Sequence, residues 1–133
     1  MTIVMNELKC TCSAKKNFQQ QPLICSCSGC ADVGEIADRT ARKLTAEGLG
    51  KMFCLTGVGG RVPGIMKGVA DASSLLVIDG CPLDCASNCL TQAGFNEFKH
   101  LRLTDNGLTK GSSPADETNV AITFERAAAL LDT

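Results

Sequence analysis

The sequence has no tryptophan, no tyrosine and a single histidine, and it has no surplus of either charge: 13 Lys and Arg stand against 14 Asp and Glu, for a formal net charge of −1. A chain so balanced carries no electrostatic footprint for nucleic acid or an anionic membrane surface, and neither is expected as a partner. No apolar run approaches the roughly 18–20 residues that span a bilayer. The amino terminus also lacks a basic start followed by an apolar stretch of signal-peptide length, so a cytoplasmic location is expected.

What the chain does have is sulfur. Nine cysteines occur in 133 residues, about 7% of the chain, just under the roughly 8–10% that marks a disulfide scaffold. A chain of this length buries its own core and has no need of staples. Under cytosolic conditions thiols stay reduced. An odd number of closely spaced cysteines then points to metal binding or catalysis rather than to disulfides.

Hydrophobic periodicity organises the rest. A short apolar run from Pro22 leads into Val33, Ile36, Ala37, Thr40, Ala41 and Leu44, the spacing of an amphipathic helix, with Asp32 as its expected cap and Gly48 as its left-handed stop. A second strand is expected at residues 51–56, a shorter helix from Pro63 to about Ala72, and a third strand at Leu75–Asp79, whose consecutive apolar residues suit a strand covered on both faces. Residues 81–94 read as a helix with Pro82 in its first turn and Gly94 as its terminator. A fourth strand at about Glu97 to Leu103, an exposed loop at 104–118 and a closing helix complete the chain. The expected fold is a three-layer α/β sandwich around a four-stranded, mainly parallel sheet in the order 2-1-3-4. Residues 1–21, with Cys10 and Cys12, read as an irregular arm before a single domain at 22–133.

In such sheets ligands sit beyond the carboxyl ends of the strands, where the strand order reverses. Two cysteine clusters fall there. Cys25, Cys27 and Cys30 follow strand 1, and Cys81 and Cys85 follow strand 3. Cys27-Ser-Gly-Cys30 has the spacing that lets two thiolates face one ion, and Cys81 and Cys85 are expected on one helix face. A closed zinc site needs sulfurs about 4 Å apart. Cys81 and Cys89 would be separated by an axial rise of about 12 Å on a continuous helix, so Cys89 is expected to be an accessory thiol or a core residue. Cys54, inside the expected second strand, reads equally well as a buried small apolar residue or as part of the site.

Other features have plainer explanations. Gly57-Val-Gly-Gly-Arg61 fits neither phosphate-binding signature and reads as a tight turn. His100, in the expected fourth strand, reads as a surface or hydrogen-bonded residue rather than a ligand. Asp79 and Asp84 read as helix-capping or dipole-pairing groups beside the second cysteine cluster, with support of its ligands as the alternative.

Cys27-Ser-Gly, Cys54-Leu-Thr-Gly-Val-Gly-Gly and Asp79-Gly-Cys81-Pro-Leu-Asp-Cys85 together resemble the DGC domain family, small bacterial and archaeal proteins to which zinc binding is ascribed. The resemblance is close from about Leu23 to Gly94 and looser beyond. It implies a zinc site formed by Cys27, Cys54, Cys81 and Cys85; Cys30, Cys89 and Cys25, which depart from the family pattern, are candidates for additional thiols beside it. It implies no substrate or reaction. From the residues alone, the same cysteines also suit an iron–sulfur cluster or a thiol-based redox or sulfur-transfer enzyme, in which a thiol at a helix start is activated and a neighbour resolves the mixed disulfide. A regulatory or scaffolding module is a further reading.

Overall fold

The computed structural model describes residues 21–133. Cys10, Cys12 and the expected amino-terminal arm, Gln21 excepted, lie outside the described residues. Four strands, β1 (Leu23–Ser26), β2 (Lys51–Met52), β3 (Leu75–Asp79) and β4 (Lys99–Arg102), pair in parallel in the order β2-β1-β3-β4. Five helices surround them: α1 (Asp32–Ala46), α2 (Leu55–Gly59), α3 (Pro63–Ala70), α4 (Cys85–Gln92) and α5 (Glu117–Leu131). The architecture and strand order are those expected from the sequence.

The pleat explains the layers. Successive side chains of a strand point to opposite faces. Ile24, Leu76, Ile78 and Leu101 pack on one side against Ile36, Ala37, Ala41 and Leu44 of α1 and Val120 and Ala127 of α5. Leu23, Cys25, Leu75 and Val77 pack on the other against Val58 of α2, Val69 of α3, and Ala86 and Leu90 of α4. All five residues of β3 are buried, as a strand covered on both faces requires.

Three boundaries differ from expectation, and each bears on the site. Ladder pairing of β2 stops at Met52, although the Phe53 amide still donates to the Ile24 carbonyl at 2.8 Å. Cys54 then turns the chain and caps α2, its sulfur accepting the Gly57 amide at 3.2 Å. It is exposed, which removes the reading of a buried strand residue. Second, α4 begins at Cys85 rather than near Cys81, because Asp84 adopts a left-handed conformation (φ 53°) that a helix cannot include. Cys81 and Cys85 therefore flank a turn instead of sharing a helix face. Third, Asp32 is the first residue of α1 and Ala31 its cap, with no side-chain capping bond from Ala31. Gly48 and Gly94 do end α1 and α4 with φ of 79° and 98°.

Candidate functional site

The switch point between β1 and β3 carries a cavity of about 170 Å³. Its wall contains Cys27 and Cys30 from the loop after β1 and Cys81 and Cys85 from the loop after β3, together with Asp79, Asp84, Leu83 and Lys110. Each loop is fixed by a different physical device.

Cys27 continues the ladder beyond β1, its amide donating to the Ile78 carbonyl at 3.0 Å. Its sulfur in turn accepts the Gly80 amide at 3.4 Å, which ties the two loops together at the sheet edge. Two glycines permit this closeness. A Cβ at Gly80 would lie 2.8 Å from the backbone carbonyl of Val33, and one at Gly34 would lie 2.7 Å from the Gly29 carbonyl oxygen. Thus the glycine of Asp-Gly-Cys lets β3 end directly against the first turn of α1.

Asp79 closes β3 and organises the turn into α4. It is 1% exposed. One carboxylate oxygen accepts the Ala86 amide at 2.8 Å; the other accepts the Ser87 amide at 3.1 Å and lies 2.8 Å from His100 Nε2. A buried carboxylate thereby satisfies two free amides in the first turn of α4 and favours its positive end. The sequence reading of Asp79 as a capping group matches these contacts, and of the two readings of His100, surface or hydrogen-bonded, the second is the one observed. Asp84 is gripped by Arg102, whose Nε donates to Oδ1 at 2.8 Å while a terminal nitrogen binds Oδ2. Those guanidinium bonds hold the Asp84 carboxyl below the usual carboxylate range.

Asp79, Asp84 and His100 place ligand atoms within 4.8 Å of one another, close enough for a metal ion. Their existing bonds already account for that closeness: both Asp84 oxygens face Arg102, and both Asp79 oxygens are taken. Among the described residues, no three thiols are gathered as tightly.

The loop before α5 is more than the exposed connection expected. Asp32, two residues after Cys30, accepts the Gly111 amide at 2.9 Å and the Ser113 amide at 3.2 Å. The Gly111 bond is the main reason its carboxyl is held low. Ser113 is buried, and its hydroxyl accepts the Thr109 amide at 2.7 Å. Between these anchors, Lys110 reaches the cavity with its Nζ 3.6 Å from Cys81 Sγ.

The remaining cysteines occupy other positions. Cys54 shares with Cys27 the wall of a second, more polar cavity of about 550 Å³, which also contains Ser26, Ser28, Asp38, Arg42 and Thr56. Ser28 there has φ 50° and is held by its hydroxyl to Asp38 at 2.8 Å. Cys89 lies under α2, 3.8 Å from the Leu55 carbonyl oxygen. Cys25 is fully buried, and burial, then the neighbouring Cys89 and Cys54, pushes its thiol up to about 12. It is a neutral core residue.

Chemically, the first cavity offers four sulfurs from two loops, little other polar surface and one ammonium group. Thiolates are soft donors that prefer thiophilic ions and are poor donors for Mg²⁺ or Ca²⁺; the four sulfurs share one wall without being drawn together to ligand spacing. Sequence reasoning misses Lys110 and the Asp32 tether as parts of the site. Asp32 and Lys110 lie far apart in the chain, and no local pattern joins them.

The DGC domain family matches residues 23–127. Over 89 residues the chain is 38% identical to the "anaerobic and virulence modulator AnvM" of Pseudomonas aeruginosa, covering 67% of this chain and 68% of that protein. No solved structure matches. Among the described residues, no helix is long and apolar enough to cross a membrane.

Proposed function

The chain belongs to the DGC domain family, and from that premise we propose that it binds a thiophilic metal ion, Zn²⁺, through cysteines at the carboxyl edge of its sheet. The observation that carries this reading is the convergence of Cys27, Cys30, Cys81 and Cys85 on one cavity at the β1–β3 switch point. Cys27, Cys81 and Cys85 are the shared members of the set expected from spacing and the set implied by the family. For the fourth ligand, the common cavity favours Cys30; Cys54 is the alternative, reached through Cys27 from the neighbouring cavity. When bound, the ion would cross-link the two loops, either fixing them or being held for delivery elsewhere. The name of the AnvM relative describes a modulator, which supports a regulatory use of such a site. A reducing, cytoplasmic setting would keep the ligands available.

Anaerobic purification followed by elemental analysis and a free-thiol count tests the reading. About one zinc per chain is expected, lost in a Cys81→Ser, Cys85→Ser variant. Loss in Cys30→Ser with retention in Cys54→Ser would identify the fourth ligand. A double serine variant that keeps its full zinc content would overturn the site. A brown protein with iron and sulfide would instead assign an iron–sulfur cluster to the same thiols.

A second reading has its own supporting contact. Lys110 lies at hydrogen-bonding distance from Cys81, with Cys85 on the same cavity wall. In a thiol-transfer protein, Cys81 would attack a disulfide substrate and Cys85 would displace the bound thiol, leaving a Cys81–Cys85 disulfide and two released thiols. Rapid alkylation of Cys81 in metal-free protein supports this reading, and slow uniform labelling of all exposed thiols rejects it.

A further inference from the structure

We propose that Lys110 is a positioning residue of the thiolate site and that Asp32 is the latch that holds it there. The inference deepens the zinc reading and rests on it. Zn²⁺ with four thiolates carries a net charge of −2, so a cation beside that complex favours its formation. Lys110 is the cationic residue in the wall of this cavity, and its Nζ is 3.6 Å from Cys81 Sγ. An ammonium N–H donated to a thiolate is a charge-assisted bond, and such outer contacts tune metal affinity.

An exposed lysine on a free loop would supply that cation only intermittently. Here the backbone is fixed on both sides. The Thr109 amide is held by Ser113, whose own amide, with that of Gly111, is bonded to the Asp32 carboxylate. Gly111 makes the reversal possible with φ 89°. Asp32 sits in the first turn of α1, two residues beyond Cys30, so the segment that presents one thiol also anchors the loop that presents the cation. The carboxylates on the same wall do not compete for the ammonium: Asp79 is engaged by α4 amides and His100, and Asp84 by Arg102.

The test uses reduced, metal-free full-length chain, titrated with Zn²⁺ against a chromophoric chelator and separately with Co²⁺, read by its thiolate-to-cobalt charge-transfer band. Lys110→Met is expected to weaken zinc binding about 10–100-fold and to move the cobalt band to lower energy, because the Cys81 sulfur loses its hydrogen bond. Lys110→Arg should restore most of both. Asp32→Ala should weaken binding in the same sense, and the Asp32→Ala, Lys110→Met double variant should bind no worse than Lys110→Met alone. Far-UV circular dichroism of each apo variant should match the wild type. Wild-type affinity and an unshifted band in Lys110→Met would overturn the role of Lys110, and additive losses in the double variant would overturn the latch. If the wild type binds neither metal, the zinc reading fails and this inference falls with it; if it binds and Lys110→Met is unaltered, this inference fails alone.

Discussion

Replacing Asp79 probes the central anchor of the site. The carboxylate is 1% exposed and takes three contacts, from the Ala86 and Ser87 amides and from His100. Each hydrogen bond to a charged group contributes about 1.5–3 kcal/mol. Asp79→Ala removes both amide bonds and leaves the buried Ala86 N–H without its acceptor, whereas the half-buried Ser87 amide regains some water. The net cost is about 3–5 kcal/mol, within the range for breaking a buried charged network. Asp79→Asn keeps an oxygen for Ala86 and a comparable capping tendency but loses the charge, which sets its cost at about 1–2 kcal/mol. Urea unfolding of reduced, metal-free protein separates fold from metal. With a slope of about 1.5 kcal/mol per M, the alanine variant should unfold at about 2–3 M less urea, and the asparagine variant at about 1 M less. His100→Ala, which removes only the partly exposed partner, should cost about 1 kcal/mol. If Asp79→Ala lost less than about 1 kcal/mol with an unchanged slope, the carboxylate would not be the anchor of α4 and its bonds to the Ala86 and Ser87 amides would not hold the helix start.

Cys25 should resist alkylation in the native state and react only on unfolding. Its thiol is raised from 9.0 to about 12, so the native state holds the proton longer than the unfolded chain; stability is full below about pH 9 and falls as pH rises from there towards 12, a slope that Cys25→Ala should flatten in alkaline urea titrations. Acid acts in the opposite sense on Asp84, whose carboxyl is held low by Arg102. Its contribution is present above about pH 4 and is lost as pH falls through the folded value, so Asp84→Asn should reduce the acid dependence measured by thermal unfolding. Gly80→Ala places a Cβ 2.8 Å from the Val33 carbonyl. It should cost about 1–3 kcal/mol in chemical denaturation, as overpacking does, and cost nothing if α1 can move aside freely.

The elements with strong periodicity can be read directly. Leu75–Asp79 has an unbroken apolar core strand, and α1 repeats buried positions from Val33 to Leu44 with a three- and four-residue step. Where local pattern misleads, a longer-range contact or an unusual cap decides. Met52-Phe53-Cys54-Leu55 looks like strand, yet Cys54 ends it by capping α2 with sulfur, outside the usual Ser, Thr, Asp and Asn choices. A proline followed by an aspartate is an ordinary helix opening, and that pattern sets the start of α4 too early. Asp84 instead takes a left-handed conformation and is bound to Arg102 on β4. For the candidate site, cysteine spacing and strand order together locate the edge of the sheet where Cys27, Cys30, Cys81 and Cys85 line one cavity. They cannot reveal Lys110, whose place depends on hydrogen bonds to Asp32 from residues 79 and 81 positions away.

Cys27 stands in the wall of both cavities. Its sulfur accepts the Gly80 amide, so one side chain both ties the two loops together and forms part of the partition between the cavities. A substitution at Cys27 therefore alters both walls together, and its effect on either cavity can be read only against variants of residues that line one of them alone.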